Sequence, residues 1–211
     1  TVLDGSGYNN HGINHGADLV DGYPGKAMSF DGVSDYIAVN LLESPSYTIS
    51  IWIKPNNLST NYFLWANANN SGLRFSADST SYSVRYRRSD GSYYTYRLAG
   101  PSENGVWVNV VATFDSATGT LIGYKNGVKG TITTGLSIWG NFSGPIDIGR
   151  NTTNNIYYDG EVGDIKIYNR VLSTPNTRLE LFNYGLINSY FQLLIINLIY
   201  VFTFRISGYS F

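Results

Sequence analysis

The chain has 211 residues, the size of one domain with enough apolar residues for a sizeable core. Charged residues make up 14% of it and the net charge is −1, so a strong electrostatic attraction to nucleic acid is not expected. The absence of cysteine excludes disulfides and thiolate metal sites, although it does not place the chain in the cytosol.

Short runs with period-2 alternation, separated by turn residues, dominate the sequence. The clearest is Tyr47–Lys54, in which three isoleucines share one face. Further strands are predicted at Trp107–Phe114, Thr120–Lys125, Pro145–Gly149 and Gly163–Tyr168. Asn126-Gly127 is the strongest two-residue hairpin signal in the chain. Many short strands at this spacing predict an all-β, antiparallel β-sandwich.

A hairpin in the middle of the chain is predicted to carry a ligand-binding face. If Asp90-Gly91 is its two-residue turn, Arg87 lies opposite Tyr94 and Arg85 lies opposite Tyr96. Period 2 then places all four side chains on one face, where each Arg–Tyr contact contributes roughly 0.5–1 kcal/mol. Such a face would suit a glycan, including an anionic one. The alternative is that these cross-strand pairs stabilise the sheet without any ligand.

Four tryptophans divide into two groups by their surroundings in the sequence. Trp65 and Trp139 lie in loop-flanked positions and are further candidates for stacking on a sugar. Trp52 and Trp107 lie in predicted strands, and we expect them in the core.

The C-terminal end differs in character from the rest of the chain. Leu186–Phe204 is almost uncharged and apolar over about 20 residues, a length that fits a membrane anchor. Polar interruptions weaken that interpretation, and a buried terminal strand pair or a non-native end are the alternatives. We therefore predict a domain over residues 1–185 and an apolar tail over residues 186–211. The sequence starts at Thr1 without a signal peptide, so we expect a mature or excised fragment.

Six motifs follow one another over residues 4–185. They are Asp4–Gly12 (DGSGYNNHG), Gly25–Tyr36 (GKAMSFDGVSDY), Thr48–Pro55 (TISIWIKP), Trp107–Asp115 (WVNVVATFD), Tyr124–Gly127 (YKNG) and Gly163–Ser173 (GDIKIYNRVLS). In order and content they resemble the laminin-G-like branch of the concanavalin A-like lectin/glucanase superfamily. Two departures are Asn109, where a His often stands, and the lack of a second acidic residue before Asp164. The resemblance implies a jelly-roll β-sandwich that serves as an extracellular recognition module.

The same resemblance implies a structural calcium site. It would bring four carboxylates and one amide to one edge of the sandwich, from Asp4, Asn10, Asp31, Asp35 and Asp164. Ca²⁺ takes roughly six to eight oxygen ligands of this kind. The alternative is that these residues only cap turns, as Asp commonly does beside Gly. His11 is expected to be a structural residue, because a hard cation prefers oxygen.

Catalytic signatures of the superfamily are missing from the sequence. A retaining glycosidase needs two carboxyls about 5–5.5 Å apart, which alternate residues of a strand supply. None of the four glutamates is followed two residues later by an Asp. Asp159 and Glu161 are two apart, but Asp159-Gly160 is predicted to be a turn. Both histidines, His11 and His15, lie in the N-terminal turn region, away from any predicted Tyr–Arg cluster.

The sequence thus predicts a non-catalytic, lectin-like module, outside the cell or on its surface, that binds a glycan or polysaccharide with a structural Ca²⁺. The alternative is a protein–protein adhesion module without sugar affinity, and a less favoured one is a polysaccharide-cleaving enzyme. No nucleic-acid partner is expected, and a membrane is expected only if the tail is an anchor.

Overall fold

The computed structural model describes residues 1–58, 62–66, 74–78, 80–87, 92–98, 102–136, 142–152, 154–172 and 201–204. Over these ranges every regular element is a strand and no helix occurs, which confirms the predicted all-β class. The strands are β1 Ile13–His15, β2 Asp18–Gly22, β3 Gly25–Asp31, β4 Tyr36–Ser44, β5 Tyr47–Pro55, β6 Tyr62–Ala66, β7 Arg74–Ala77, β8 Tyr82–Arg87, β9 Tyr93–Arg97, β10 Val108–Asp115, β11 Thr120–Lys125, β12 Val128–Thr133, β13 Phe142–Ile148, β14 Arg150–Asn151, β15 Ile156–Tyr157, β16 Asp159–Tyr168 and β17 Val201–Phe204.

Two large antiparallel sheets form a sandwich. The seven-stranded sheet has the order β1-β4-β13-β6-β7-β8-β9. The eight-stranded sheet has the order β12-β11-β10-β5-β16-β3-β2, with β17 paired to β16 beside that path. Strands that are neighbours in space are often distant in sequence, as β4 and β13 are, and this connectivity is that of the predicted jelly roll.

One face of the eight-stranded sheet is buried, because apolar residues occupy alternate positions along its central strands. Ile49, Ile51 and Ile53 of β5 are fully buried, and their neighbours in β10 supply Val110 and Ala112 on the same face. Full burial of each large aliphatic side chain contributes about 1.5–3 kcal/mol. The regular spacing of these residues therefore explains why β5 and β10 form the centre of the sheet.

Aromatic rings fill much of the space between the sheets. Tyr47 of β5, Tyr86 of β8 and Phe114 of β10 form a cluster in which ring centres lie 5.7–6.4 Å apart. Phe63 and Phe75 of the seven-stranded sheet pack 6.1 Å apart and are fully buried. Such aromatic contacts contribute about 0.5–1.5 kcal/mol beyond the area that they bury.

The hairpin predicted at Asn126-Gly127 is confirmed. Both residues have positive φ angles, 49° and 74°, as a type I′ turn requires, and β11 and β12 flank them. Asn126 also accepts a hydrogen bond through Oδ1 from the backbone N–H of Asn109. The Asn109 side chain, at the position where a His often stands, donates instead to Ser50 Oγ at 3.2 Å and to the Ile51 carbonyl at 3.4 Å.

The predicted register of the β8–β9 hairpin is wrong by one residue. Arg87 lies opposite Tyr93 instead of Tyr94, and Arg85 lies opposite Thr95 instead of Tyr96. Because strand side chains alternate with period 2, a slip of one residue moves a whole strand's side chains to the other face. The four predicted ligand residues therefore do not share a face. Asp90-Gly91, the predicted turn, lies outside the described residues.

Tyr94 and Tyr96 instead connect the edge strands of the two sheets. Tyr96 is only 3% exposed, and its hydroxyl donates a hydrogen bond to the carbonyl of Thr131 in β12. The hydroxyl of Tyr94 lies 3.1 Å from that of Thr133 in the same strand. Both tyrosines thus point between the sheets. We call these two residues the tyrosine clip.

The expectation that Trp52 and Trp107 lie in the core is not met. Both are half-buried, and Trp52 lies on the face of β5 opposite to its buried isoleucines. The ring of Trp52 contacts that of Tyr23 edge-on, with their centres 4.7 Å apart. A Cβ on Gly163 would lie 3.4 Å from the Trp107 ring, so glycine leaves room for this outer cluster.

The tail contributes one described strand. Val201–Phe204 pairs with the second half of β16, for example Ile165 opposite Phe204. The rest of residues 186–211 lies outside the described residues, so the three interpretations of the tail stay predictions. Within the ranges that the structure describes, no helix is long and apolar enough to cross a membrane.

Candidate functional site

A row of four paired strand positions crosses the seven-stranded sheet, and its charged side chains lie on the face away from the core. Asp147 of β13 lies opposite Trp65 of β6, Trp65 lies opposite Arg74 of β7, and Arg74 lies opposite Arg85 of β8. We define these four residues as the arginine row. Since neighbouring strands are about 4.7–4.9 Å apart, the row is about 14 Å long.

Alternation along each strand explains why the row faces outward. Asp147 lies between Ile146 and Ile148, which are at most 1% exposed and belong to the core. Arg74 precedes the fully buried Phe75, and Arg85 follows the fully buried Val84. Because successive side chains of a strand point to opposite faces, the charged residues must lie on the outer face.

Tyr93 of β9 brings the two arginines of the row together. The guanidinium carbon of Arg74 lies 4.2 Å from the centre of the Tyr93 ring, and that of Arg85 lies 5.6 Å from it. Arg74 also donates a hydrogen bond of 2.5 Å from Nη2 to the Tyr93 hydroxyl. Tyr93 is 39% exposed, whereas both arginines are half-buried. The result is an accessible aromatic ring beside two ordered guanidinium groups.

Asp147 ends the row in a buried ion pair. Its Oδ2 accepts hydrogen bonds from Arg150 Nη2 at 3.0 Å and from Arg150 Nε at 3.3 Å. Burial raises the pKa of the Asp147 carboxyl above its ordinary value, although the hydrogen bonds and charge of Arg150 act in the opposite direction. The ion pair therefore holds Arg150 in a fixed position next to the row.

A stack of rings lies beside this ion pair. The Arg150 guanidinium carbon is 3.5 Å from the centre of the Tyr36 ring. The His15 imidazole stacks on Tyr36 with the ring centres 4.2 Å apart and the planes at 8°. His15 was expected to be far from any Tyr–Arg cluster, and pairing of β1 with β4 is what brings it here. Cation–π and stacking contacts together order this end of the outer face.

The structure separates the predicted ligand residues into three groups. Arg85 lies on the outer face, and the strand register sets Arg87 opposite Tyr93 and Trp65 opposite Arg74. Tyr94 and Tyr96 lie on the inner face as the tyrosine clip. Trp139 lies outside the described residues. No ligand role has been tested for any of them, so these roles stay predictions.

Sequence reasoning missed Arg74, Tyr93, Asp147, Arg150 and Tyr36. A signal existed for Asp147, since an isolated acid between two isoleucines in a strand points to the outer face. Arg74 begins the run Arg-Phe-Ser-Ala, whose four residues are the shortest length that predicts a strand. The pairing of β13 with β6 joins residues about eighty positions apart, and no local sequence pattern predicts such a pairing.

The predicted calcium ligands fall in two turns and one strand, Asp4 with Asn10, Asp31 with Asp35, and Asp164 in β16, and they have protein partners of their own. The Asp4 carboxylate accepts hydrogen bonds from Ser6 N, Ser6 Oγ and Asn10 N. The Asp31 carboxylate accepts three backbone N–H groups, of Val33, Ser34 and Asp35. Each acid therefore caps its own turn, as the alternative interpretation held.

The remaining candidates do not complete a shared site. Asp164 forms an ion pair of 2.7 Å with Lys166, and the Asp35 carboxylate accepts a hydrogen bond from the backbone of Asp31. Over the described part of the chain, no three His, Asp or Glu side chains are grouped so that they could hold a metal ion. The five residues as one set therefore do not fit a calcium site, and calcium binding itself stays a prediction.

The two acids closest to a glycosidase spacing are engaged in structural contacts. Asp159 and Glu161 lie in β16, so the predicted turn at Asp159-Gly160 is wrong. Glu161 forms an ion pair of 2.9 Å with Lys54 of β5, and Asp159 accepts a hydrogen bond from the Asn56 side chain at 3.2 Å. Both lie on the eight-stranded sheet, away from the arginine row.

Comparison with known proteins supports the same fold. A protein-family model of the laminin G type, described as the concanavalin A-like lectin/glucanases superfamily, matches residues 31–176. No curated protein sequence matches the chain.

Similar solved structures include one domain of an enzyme and the binding domains of two toxins. Domain 4 of AbnA, a GH43 extracellular arabinanase from Geobacillus stearothermophilus in complex with arabinotriose, has a TM-score of 0.67 and 20% identity, covering 82% of this chain and 89% of that domain. The binding domain of Paraclostridial Mosquitocidal Protein 1 has a TM-score of 0.67 and 18% identity, covering 87% of this chain and 50% of that one. The botulinum neurotoxin serotype G binding domain has a TM-score of 0.68 and 15% identity, covering 86% and 48%. This chain thus spans about half the length of the toxin domains, and at these identities the likeness shows the fold alone.

Proposed function

Because the chain belongs to the concanavalin A-like lectin/glucanase superfamily, we propose that it is a non-catalytic module that binds carbohydrate through the outer face of its seven-stranded sheet. The observation that carries this proposal is the arginine row with the exposed Tyr93 beside it. Arabinanase domain 4, which has the same fold, was solved with a trisaccharide.

The outer face offers both kinds of contact that sugar recognition uses. An exposed aromatic ring provides an apolar surface for the C–H groups of a sugar, and Tyr93 is such a ring. Arginine side chains donate up to five hydrogen bonds in a fixed geometry, which suits the ring oxygens and hydroxyls of a glycan. Arg74 and Arg85 lie within reach of a molecule resting on Tyr93.

A role in recognition also agrees with how the acidic residues are used. Glu161 and Asp147 are committed to ion pairs with Lys54 and Arg150. Carboxyl groups that are held in ion pairs of this kind are not available as the acid or the nucleophile of a glycosidase. We place the module outside the cell, as part of a secreted or surface protein, on the analogy of the extracellular arabinanase and the toxins.

Glycan binding by the full chain is the first test. We expect saturable binding on a glycan array, followed by titration of the best ligand. Tyr93→Ala should weaken that binding about tenfold, or roughly 1.4 kcal/mol, because the variant loses the ring and releases both arginines. Tyr8→Ala is the matched control, since Tyr8 is also 39% exposed but lies in the N-terminal turn.

The alternative is an adhesion module that binds a protein through the same face. A blank glycan array from folded protein would contradict the sugar proposal and favour this alternative. Release of reducing ends from a polysaccharide would contradict the non-catalytic part of the proposal.

Calcium remains part of the proposal because the family resemblance implies it. We expect 1 mM Ca²⁺ to raise the melting temperature relative to EGTA, since a ligand at about 100 times its Kd stabilises by about 2.7 kcal/mol. For a chain of this size that corresponds to about 5–10 °C. Asp31→Asn should reduce the shift, and Asp21→Asn, which removes an exposed partner of Lys26, should not. An identical melting temperature in both buffers would contradict calcium binding.

A further inference from the structure

Three aromatic residues meet on the outer side of the eight-stranded sheet, across the sandwich from the arginine row. Trp52 lies in β5, Tyr23 lies between β2 and β3, and Trp107 immediately precedes β10. A Cβ on Gly163 of β16 would lie 2.7 Å from the Tyr23 carbonyl oxygen and 3.4 Å from the Trp107 ring. The same Cβ would lie 3.4 Å from Trp52 Cβ, so the three residues surround a position without a side chain. We define Tyr23, Trp52 and Trp107 as the tryptophan cluster.

The rings of the tryptophan cluster stay accessible although they contact one another. Tyr23 is 49% exposed, and its ring meets that of Trp52 edge-on, with the ring centres 4.7 Å apart. In an edge-on contact one ring presents its edge, so its partner covers neither of its faces. Trp52 and Trp107 are half-buried, as side chains are that rest on a sheet without a layer above them. An aromatic surface is therefore open to a ligand at this place.

The polar atoms of these three rings are not used by the fold. Within the ranges that the structure describes, neither the Tyr23 hydroxyl nor the indole N–H of Trp52 or Trp107 has a hydrogen-bond partner in the protein. Tyrosine and tryptophan side chains that are buried usually pair these groups, as Tyr94 and Tyr96 do in the tyrosine clip. Three unused donors beside an open aromatic surface favour a ligand that carries hydrogen-bond acceptors.

The charged groups next to the tryptophan cluster are paired with one another. Lys54 lies two positions beyond Trp52, on the same face, and forms an ion pair of 2.9 Å with Glu161. On the other side of Trp52, the register places Lys166 of β16 on this face, where it forms an ion pair of 2.7 Å with Asp164. Because each lysine has its own carboxylate, the two pairs add no net charge. The site therefore favours a neutral ligand over an ionic one.

We propose that the tryptophan cluster is a second binding site, which holds a neutral sugar unit of a glycan. Such a sugar has apolar C–H groups that rest on aromatic rings and hydroxyl oxygens that accept hydrogen bonds from indole N–H groups. A purely apolar ligand would leave the three donors without partners. The site lies on the sheet opposite to the one in the proposed function, so the module binds two glycan segments at once.

A variant with a weakened first site isolates the second one. The full chain with Tyr93→Ala is screened on an array of neutral gluco-, manno-, galacto-, xylo- and arabino-oligosaccharides, and the strongest ligand is titrated by calorimetry. We expect saturable binding of one ligand per chain. Added salt should leave this binding nearly unchanged, because no ion pair forms between the ligand and the protein.

Further substitutions then locate the second site. Trp52→Ala and Tyr23→Ala, each combined with Tyr93→Ala, should weaken the remaining binding about tenfold or more. Trp52→Phe should retain part of it, because an aromatic ring remains and only the indole N–H is lost. Tyr8→Ala is the matched control and should leave it unchanged, since Tyr8 is 39% exposed but lies in the N-terminal turn. Circular dichroism and thermal melts verify that each variant is folded.

The outcomes separate this inference from the proposed function. A Tyr93→Ala variant that binds no neutral glycan overturns the second site, and so does binding that Trp52→Ala and Tyr23→Ala leave unchanged. Wild-type binding that Tyr93→Ala does not alter and Trp52→Ala abolishes overturns the site of the proposed function and supports the tryptophan cluster. A folded wild-type chain that binds no member of a broad glycan array overturns both.

Discussion

Replacing Gly123 with alanine is expected to lower the free energy of unfolding by about 3 kcal/mol, the upper end of what overpacking costs. A Cβ at this position would lie 2.4 Å from Leu98 Cδ2 and 2.6 Å from Tyr96 Cε1. Both side chains are 3% exposed, and Tyr96 is held by its hydrogen bond to Thr131. The ring cannot retreat without loss of the tyrosine clip, so the clash is relieved only by separating the sheets locally.

Gly105→Ala is the control for the Gly123 prediction. Gly105 has a φ of 72°, and a Cβ there meets no atom within 4 Å, so this change imposes backbone strain without overlap. We expect a loss of about 1 kcal/mol. The two variants are compared by urea unfolding. A lower urea concentration at the midpoint, with an unchanged m-value, measures the loss of stability. Equal losses for the two variants would show that packing against the tyrosine clip is not the cause.

Removing the Asp147 carboxylate is expected to destabilise the fold nearly as much. Asp147→Ala leaves the Arg150 guanidinium, whose side chain is 22% exposed, without its carboxylate beside Tyr36. Breaking a buried ion pair typically costs about 3–5 kcal/mol, and partial exposure of Arg150 places our expectation at about 2–3 kcal/mol. Arg97→Ala breaks a pair of similar length, 2.8 Å, between side chains that are 58% and 44% exposed, and leaves the turn that Asp78 caps in place. That control should cost at most about 1 kcal/mol. Losses of equal size in thermal or urea unfolding would contradict the role of burial.

The same carboxylate has a predictable dependence on pH. Burial raises the pKa of Asp147 above the ordinary 3.8, so the native state binds its proton more tightly than the unfolded chain does. The stability that this preference contributes is present at low pH and is lost as pH rises through the native-state pKa. Relative to Asp147→Asn, the wild-type protein should therefore lose stability as pH rises from 3.8. A wild-type protein that gains stability relative to Asp147→Asn as pH rises would contradict the raised pKa.

Local patterns sufficed where one short segment determines the structure. The alternation of Tyr47–Lys54 predicted β5, and its isoleucines are indeed fully buried. Asn126-Gly127 predicted a hairpin because few other dipeptides adopt positive φ at both positions. The motifs resembling laminin-G-like domains added the jelly-roll connectivity, which no local pattern supplies.

The β8–β9 hairpin shows where such reasoning fails. The predicted pairing assumed a two-residue turn at Asp90-Gly91, whereas the observed pairing of Arg87 with Tyr93 leaves five residues between the strands. Nothing in the sequence distinguishes these two lengths, because Tyr and Arg occur at both alternations. Because the predicted register was wrong by one residue, it named Tyr94, which lies on the inner face, as a ligand contact instead of Tyr93, which lies on the outer face.

The candidate site was only partly predictable for a different reason. Trp65 and Arg85 were identified separately, but their place in one row depends on β7 lying between β6 and β8. Asp147 joins them through a strand from the other half of the chain. The calcium set depends in the same way on contacts between distant segments; Asp4, Asp31 and Asp164 do not form one group of acids within the described residues, and calcium binding stays a prediction.

The arginine row has a consequence for how such a domain can change over time. Its four positions come from four different strands, and its two arginines adjoin core residues, Phe75 beside Arg74 and Val84 beside Arg85. Either arginine can therefore be replaced without altering the length of any loop or the residues that pack between the sheets, whereas Asp147 also holds the ion pair with Arg150. A new recognition specificity is then within reach of single substitutions, and a library that varies only these two arginines on a constant scaffold would sample it directly.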